Sequence, residues 1–325
     1  MFPRCKASPL ASLLALLLAC GGQAAAAERL PPLAADAAGV TVSGLSSGGY
    51  MAVQMHFAHS SAIRGAGVIA AGPYYCARGS LLAAYYNCTD PGFLAPLPPA
   101  AALRAEAEAQ AKAGRIDATA NLAASRAWLF AGTRDRTVSV EVVEALRAFY
   151  AGYKAAVVMV GDKPAGHAIA TEAAGNPECG ASEPPFINDC DYDAAGEMLR
   201  HLLGPATPAQ ASGRLLRFDQ REFAQGDALA ISLADDGYAY VPAVCESQRC
   251  RIHVAFHGCR QNASAVGERF VREAGYNRWA GAHRLVVLYP QTASRTGFSS
   301  GAWNYVWNPR GCWDWWGYGG ARYHT

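Results

Sequence analysis

The chain has 325 residues, with 28 Lys or Arg, 26 Asp or Glu, and a formal net charge of +2. No run of like charge stands out, so the composition does not favour nucleic acid or an anionic membrane as a partner, and a neutral substrate would suit this surface. With no internal repeat, residues 28–325 are long enough for a single large α/β domain with a substantial core.

The first 27 residues have the pattern of a secretory signal peptide, with Arg4 and Lys6 before an apolar run at 9–19 and small residues after it. Cleavage after Ala27 would give a secreted protein, extracellular or periplasmic. Residues 17–20 also resemble a lipobox, which would instead leave a lipoprotein anchored at Cys20. The apolar run is too short to span a bilayer, and no later segment approaches the ~20 apolar residues required.

The next element is a β-rich segment at 39–43, which runs into the sequence GLSSG at 44–48. A G-x-S-x-G motif between a strand and a helix is typical of a nucleophile elbow, where flanking glycines permit a sharp turn that leaves the serine hydroxyl exposed. The pentapeptide also occurs in ordinary turns. Here Met51, Met55 and Ala58 recur at helical spacing after it, so the context favours the elbow and Ser46 becomes the candidate nucleophile.

Strand and helix patterns then alternate along the chain, after which residues 215–241 have the weaker alternation of antiparallel strands. Buried strands are predicted at 66–71, 127–131, 155–160, 252–256 and 285–289, and helices at 100–113, 140–150, 194–203 and 267–280. A proline-rich stretch at 91–99 is expected to be irregular. The alternation predicts a mostly parallel central sheet with helices on both faces.

Eight cysteines follow the signal segment, and an even number in an exported chain indicates disulfides. Proximity along the chain predicts the pairs Cys76–Cys88, Cys179–Cys190 and Cys245–Cys250, which leaves Cys259 for Cys312. A bond across that long segment should stabilise the fold by about 3–4 kcal/mol. The alternative is that Cys259 is a reactive thiol beside His257. No C-x-x-C spacing occurs, so zinc is not expected, and we predict neither a metal nor a cofactor.

A serine nucleophile needs a base, and the base needs a carboxylate that fixes its tautomer. In α/β-hydrolases these partners follow the serine in the order acid, histidine. Asp135 lies just beyond the strand at 127–131, and His167 lies in the loop after the next strand. Both positions are at the carboxyl edge of the predicted sheet, where sites of open α/β folds gather. The opposing interpretations are a solvated turn residue or helix cap for Asp135 and a loop histidine without a role for His167.

His257 ends a predicted strand and precedes Gly258 and Cys259. His-Gly after a strand begins the oxyanion loop of many esterases, but that loop normally precedes the nucleophile. Here it follows Ser46 by about two hundred residues. A circular permutation explains this order, because the ends of a domain often lie close together.

Three motifs, GLSSGGYM at 44–51, FHGCRQ at 256–261 and NPRGCWDWWGY at 308–318, together resemble the single-domain, circularly permuted poly(3-hydroxybutyrate) depolymerases over nearly the whole mature chain. The resemblance implies an α/β-hydrolase that cleaves an insoluble polyester of short hydroxyalkanoate units. It implies a triad of Ser46, Asp135 and His167, an oxyanion hole formed by the N–H groups of Ser47 and Cys259, and a Cys259–Cys312 disulfide. Family members usually continue with a further helix, whereas this chain stops at Thr325, so the sequence is either truncated or lacks that packing element.

Five of the seven tryptophans crowd into the last stretch: Trp303, Trp307, Trp313, Trp315 and Trp316. They could form a core or a cap over the disulfide, or an apolar surface that grips a polyester chain. Tyr305 and Trp307 are the residues that we expect to face substrate. Two other functions stay open, an esterase of small or plant-cell-wall esters of the feruloyl or acetyl-xylan type, and a non-catalytic polymer-binding protein on a hydrolase scaffold.

Overall fold

The computed structural model describes residues 29–208, 211–224, 228–298 and 305–325. The predicted signal peptide at 1–27, Cys20 within it, and Trp303 lie outside these residues. Within the described ranges, no helix combines the length and the apolar character needed to cross a membrane.

Strands and helices alternate through the first part of the fold, as predicted. The strands are β1 (Ala35–Leu45), β2 (Ile63–Ile69), β3 (Arg126–Phe130), β4 (Ala156–Val160), β5 (Ile169–Thr171), β6 (Ile187–Asp189), β7 (Gly213–Asp219), β8 (Asp236–Pro242), β9 (Cys250–Phe256), β10 (Leu285–Tyr289), β11 (Arg295–Phe298) and β12 (Tyr305–Asn308). The α-helices are α1 (Ser47–Ala58), α2 (Leu81–Asn87), α3 (Ala100–Lys112), α4 (Val140–Ala151), α5 (Ala194–Leu203), α6 (Ala263–Val266), α7 (Arg269–Glu273) and α8 (Asn277–His283).

Eight of these strands form one sheet in the order β4-β3-β2-β1-β9-β10-β8-β7. Every pairing from β4 to β10 is parallel, and β8 is antiparallel to both of its neighbours. Strand β1, which leads to Ser46, lies in the middle. The three strands that follow it in sequence lie on one side, and the last four lie on the other. This arrangement confirms the predicted circular permutation, since the late strand β9 pairs directly with β1, placing Gly44 opposite Phe256.

Two apolar clusters cover the two faces of the sheet. Neighbouring residues of β3 point to opposite faces, as the period of a strand requires: Leu129 packs with α1, α3 and α4, whereas Trp128 and Phe130 pack with α5 and α8. All three side chains are at most 2% exposed. Burying a large apolar side chain of this kind stabilises the fold by about 1.5–3 kcal/mol, so the sheet is a rigid platform for the loops at its carboxyl edge.

A buried polar network fixes β1 against β9. The His253 ring lies between the hydroxyls of Thr41 and Ser43, 2.8 Å from each, and Ser43 also contacts the Tyr276 hydroxyl at 2.8 Å. Burial lowers the pKa of His253 to about 3, so the ring is neutral at physiological pH. Its polar atoms are satisfied within the network, and the register of the two strands that lead into the site is thereby fixed.

The predicted helix at 267–280 is wrong in extent. Instead α6 ends before Gly267, α7 lies between Gly267 and Gly275, and α8 follows Gly275, because these glycines adopt φ values of +63° and +92°. These left-handed conformations suit glycine and interrupt helical hydrogen bonding. Three elements were not predicted: α2, the two-stranded sheet of β5 and β6, and the hairpin of β11 and β12. The stretch at 91–99 is irregular, as expected, with one isolated bridge between Gly92 and Ala95.

Four disulfides join the eight cysteines in the expected pairs: Cys76–Cys88, Cys179–Cys190, Cys245–Cys250 and Cys259–Cys312. The last one closes a separation of 53 residues. Because Cys259 is bonded to Cys312, the alternative of a reactive thiol at this position is wrong.

Candidate active site

Ser46 occupies the sharp turn between β1 and α1. Its backbone has φ 57° and ψ −121°, a combination that a residue with a side chain rarely adopts. The turn is held on both sides, since the Ser46 N–H donates to the Ile69 carbonyl at 2.9 Å and the Ser46 carbonyl accepts from the Tyr50 N–H at 2.9 Å. The strained geometry of a nucleophile elbow is therefore present at the predicted residue.

Two glycines let the elbow lie directly on the end of β9. A Cβ atom at Gly48 would be 2.3 Å from the Phe256 carbonyl oxygen and 2.5 Å from that of His257. A Cβ atom at Gly44 would be 2.3 Å from the Gly48 backbone and 2.7 Å from the Phe256 oxygen. Backbone atoms cannot move aside as the end of a flexible side chain can. Glycine is therefore required at both positions for the elbow to pack against β9.

We expect Gly48→Ala to destabilise the fold by about 3 kcal/mol or more, because the elbow and β9 must separate to admit the methyl group. Gly281→Ala is the matched control: it lies in α8 with no atom within 4 Å of the added Cβ, and it should stabilise slightly. Urea unfolding of both variants measures the difference. A Gly48→Ala midpoint equal to that of the wild type would contradict the close approach described here.

Asp135 and His167 form a buried pair at the carboxyl edge of the sheet. The His167 Nδ1 atom lies 2.8 Å from Asp135 Oδ2, and the side chains are 8% and 1% exposed, respectively. The second carboxylate oxygen, Oδ1, accepts from the backbone N–H groups of Thr137 at 2.7 Å and Val138 at 3.0 Å. A hydrogen atom on Nδ1 satisfies the carboxylate and leaves Nε2 unprotonated, which is the tautomer of a general base.

The two loops that carry this pair are fastened to each other and to a disulfide-bonded segment. The N–H groups of Thr133 and Arg134 donate to the carbonyls of Lys163 and Ala165 at 2.8 and 3.1 Å. Gly166 N–H donates to the Cys179 carbonyl at 2.8 Å, and His167 N–H donates to Ser182 Oγ at 2.8 Å. The Cys179–Cys190 disulfide therefore supports the segment on which His167 rests.

Among the described side chains, no hydrogen bond joins the Ser46 hydroxyl to His167. Such contacts are often long or poorly aligned without substrate and tighten when it binds. The structure thus brings Asp135 and His167 into direct contact and places Ser46 at the same edge of the sheet.

The Ser47 and Cys259 N–H groups have no hydrogen-bond acceptor among the described residues. Ser47 is the first residue of α1, where backbone N–H groups are free and the helix dipole favours negative charge. Cys259 lies beyond the end of β9 and lines the same crevice as Ser46. Two free N–H donors near a serine hydroxyl are what an oxyanion hole would require.

His257 holds the peptide that carries the Cys259 N–H. Its Nε2 accepts from the Thr292 N–H at 3.1 Å, and its Nδ1 donates to the Gly258 carbonyl at 2.7 Å. Burial lowers the pKa of His257 to about 4, so the ring is neutral and both contacts persist at physiological pH. Because the C=O and N–H of a trans peptide point in opposite directions, fixing the Gly258 carbonyl also fixes the direction of the Cys259 N–H.

Gln261 fixes the same loop from the other side. Its Oε1 accepts from the Gly258 N–H at 2.7 Å, and its Nε2 donates to the carbonyls of Pro185 and Phe186 at 2.9 and 3.1 Å. The side chain is fully buried. The sequence indicated an oxyanion loop at His257, but these contacts depend on residues distant in the chain.

Ser46 opens into a crevice of about 550 Å³, a volume typical of ligand sites. Four large side chains on its walls are 40–63% exposed, and we call them the apolar rim: Leu81, Tyr85, Tyr86 and Trp307. Sequence reasoning missed the three that lie on α2. The available signal was Ser80, whose side chain caps the helix by accepting from Ala83 N–H at 3.2 Å, ahead of a run of helix-forming residues.

The aromatic tail divides between core and crevice. Trp313, Trp315 and Trp316 are 7–9% exposed, and the Trp315 ring stacks on Tyr50 with centroids 3.8 Å apart. Trp307 is 48% exposed and lines the crevice, whereas Tyr305 is 50% exposed on the same strand and packs edge-on against Phe298 instead. Trp315 and Trp316 also line the crevice although they are nearly buried, so the tail supplies core residues and part of the crevice wall, and contact of Tyr305 and Trp307 with substrate stays a prediction.

The described part of the chain contains no cluster of three or more His, Cys, Asp or Glu side chains that could hold a metal ion.

Known proteins similar in sequence to this chain carry closely related names. No protein-family model matches the sequence. A poly(3-hydroxybutyrate) depolymerase of Delftia acidovorans is 41% identical over 321 residues, covering 95% of this chain, which spans 61% of the length of that relative. A polyhydroxybutyrate depolymerase of Talaromyces funiculosus is 36% identical over 95% of this chain and 91% of its own length.

Two solved structures share the fold. The crystal structure of PHB depolymerase from Penicillium funiculosum has a TM-score of 0.78 at 33% identity, over 91% of this chain and 93% of that one. A complex of a serine-to-alanine variant of PHB depolymerase with an R3HB trimer has a TM-score of 0.77 at 33% identity, with the same coverage. With these similarities over nearly its whole length, the chain belongs to the polyhydroxybutyrate depolymerase family.

Proposed function

We propose that the chain hydrolyses ester bonds of poly(3-hydroxybutyrate) or related short-chain polyhydroxyalkanoates through an acyl-enzyme. The observation that carries the proposal is the strained Ser46 elbow beside a buried Asp135–His167 pair, in a chain whose relatives are named for this polymer. The proposal treats residues 28–325 as one catalytic domain, because the central sheet takes strands from Ala35 to Tyr289.

In the proposed reaction, Ser46 Oγ attacks the ester carbonyl while His167 Nε2 accepts the hydroxyl proton. Asp135 stabilises the resulting imidazolium through the Nδ1 contact. When the carbonyl reforms, the bond to the alkoxy oxygen breaks and the departing alcohol takes the proton from His167. Water then repeats the sequence on the acyl-enzyme, with His167 as base, and releases the hydroxy acid and free Ser46.

The tetrahedral intermediate needs donors for its negative oxygen, and in this proposal the N–H groups of Ser47 and Cys259 supply them. Removing one such donor typically costs 10²–10³ in kcat. His257 acts as a positioning residue, since its neutral ring holds the Gly258–Cys259 peptide in the required orientation. It does not serve as the base, because both of its ring nitrogens are already occupied.

The apolar rim suits a substrate that is a water-insoluble chain. Exposed apolar surface of this kind is found where proteins bind apolar partners. The segment at 91–99, tied to the end of α2 by the Asn87 side chain on the Pro96 carbonyl at 2.7 Å, adds Phe93 and Leu94, which are 98% and 95% exposed. Within this surface, Trp307 is the proposed direct substrate contact, and Tyr305 is proposed to extend it along β12.

Export is part of the proposal. Four disulfides form and persist in oxidising compartments, and this agrees with the signal peptide predicted from the sequence. Both a free secreted protein and a form lipidated at Cys20 are compatible with that pattern.

Clearing of polyhydroxybutyrate granules tests the proposal. We expect the wild-type protein to reduce the turbidity of a granule suspension and to release soluble hydroxy acids, while Ser46→Ala does neither. The same preparations are assayed on p-nitrophenyl acetate and on a feruloyl ester. Hydrolysis of these small esters without granule clearing would contradict the polymer assignment and favour the small-ester alternative. If a fluorophosphonate probe failed to label Ser46 in protein whose four disulfides are formed, the non-catalytic alternative would be favoured.

A further inference from the structure

The mouth of the crevice is positively charged although the proposed polymer is neutral. Three arginines line it, Arg136, Arg260 and Arg310, together with one carboxylate, Asp90. The lining therefore carries three positive charges against one negative charge. The crevice that a substrate would enter is thus lined by an excess of positive charge.

These arginines are available to a ligand. All three are exposed, and within the described ranges none forms an ion pair. Some other surface arginines are paired, for example Arg214 with Glu246 at 2.8 Å and Arg278 with Glu172 at 3.0 Å, so what distinguishes these three is their common position on the crevice wall. A neutral polyester offers a guanidinium group only ester oxygens as acceptors, whereas a carboxylate would match its charge as well and form the stronger hydrogen bond.

The three side chains line the same crevice as Ser46 and Cys259. Arg136 directly follows Asp135, and Arg260 directly follows Cys259. The Arg260 N–H donates to the Arg310 carbonyl at 2.7 Å, which places these two residues side by side, and the Arg260 guanidinium lies over the Phe186 ring at 5.2 Å from its centroid. A short chain with its ester at Ser46 would therefore lie in the crevice that these guanidinium groups line.

Ester hydrolysis supplies the matching charge. Each cleavage converts a neutral ester into a carboxylic acid and an alcohol, so every short fragment with a free acyl end carries a carboxylate at neutral pH. Guanidinium groups bind carboxylates through paired hydrogen bonds. Resting on the proposed function, we propose that Arg136, Arg260 and Arg310 bind the terminal carboxylate of short acidic oligoesters and select these fragments over neutral esters of the same length.

The test compares the 3-hydroxybutyrate trimer as its free acid and as its methyl ester, at neutral pH. For the wild type we expect a higher kcat/KM on the acid than on the ester. In the triple variant Arg136→Gln, Arg260→Gln, Arg310→Gln, the acid-to-ester ratio of kcat/KM should fall about tenfold, mainly through a higher KM for the acid. A tenfold change is at the low end of the effects that charge steering has on association rates. High salt should reduce the wild-type ratio in the same direction.

Arg64→Gln is the matched control, because Arg64 is an exposed arginine at the start of β2, the opposite edge of the sheet. It should leave the ratio unchanged. An unaltered ratio in the triple variant, or equal losses on acid and ester, would overturn the carboxylate site.

Binding to Ser46→Ala separates this proposal from the proposed function. Titration calorimetry with the two trimers should give tighter binding of the acid, and the preference should disappear when the three Arg→Gln changes are added. If the wild type hydrolyses neither trimer while this binding preference remains, the hydrolytic function fails and the carboxylate site stands. If the acid shows no binding preference, the carboxylate site fails whatever the activity.

Discussion

Ser46→Ala should lower kcat on a soluble 3-hydroxybutyrate ester by about a million-fold, as expected when the nucleophile of a serine–histidine–aspartate triad is removed. The residual rate would come from the oxyanion donors and from substrate binding, which the substitution leaves in place. Active-site titration and ester hydrolysis measure the loss. A residual kcat within a hundredfold of the wild type would show that another group attacks the ester.

Ser46→Gly provides the matched comparison, because it also removes the hydroxyl but tolerates the backbone conformation at φ 57° and ψ −121°. Strain of this type costs about 1–3 kcal/mol, and the greater freedom of glycine in the unfolded chain offsets up to about 1 kcal/mol of the relief. We therefore expect Ser46→Gly to be inactive and more stable than Ser46→Ala by about 1 kcal/mol in urea unfolding. Equal stability of the two variants would argue that the elbow stores no strain.

Asp135→Asn should lower kcat by about 10⁴-fold with little change in the fold. The amide oxygen can still accept from Thr137 and Val138, but an amide N–H facing His167 Nδ1 favours the tautomer with hydrogen on Nε2. That tautomer cannot accept the serine proton. Steady-state hydrolysis of the soluble ester measures the effect.

Asp162→Asn is the control for this change. Asp162 is in the loop that leads to His167, but its carboxylate is 74% exposed and contacts the neighbouring Lys163. The activity of Asp162→Asn should stay within about twofold of the wild type, because loss of an exposed ion pair usually has little effect. A loss of less than tenfold in Asp135→Asn would remove Asp135 from the proposed triad.

The features that the sequence predicted correctly are those with local causes. The elbow follows from glycines at fixed spacing around Ser46, and β3 and β10 follow from short apolar runs. The order of Ser46, Asp135 and His167 along a strand–helix alternation places all three at one sheet edge without knowledge of tertiary contacts. The late position of His257 relative to Ser46 sufficed to predict the permutation.

The features that it could not predict depend on contacts between distant segments or on backbone conformation. The break at Gly275 is visible only as a φ of +92°, since glycine is also tolerated inside helices. The role of His257 depends on the Thr292 N–H, 35 residues away. The crevice collects Leu81, Arg136 and Trp307 from three separate segments, so neither the apolar rim nor the charged mouth could be assigned from any one of them.

The pairing of β1 with β9 also determines when during biosynthesis the proposed site can form. Thr41 and His253, which join these strands, are 212 residues apart. Ser46 leaves the ribosome early, but the backbone surface against which Gly48 packs and the Cys259 N–H are made much later. Contacts so distant in sequence form slowly. A nascent chain that carries only the GLSSG motif therefore lacks the geometry of the site. Labelling of Ser46 by an active-site reagent should report only on complete, folded chains.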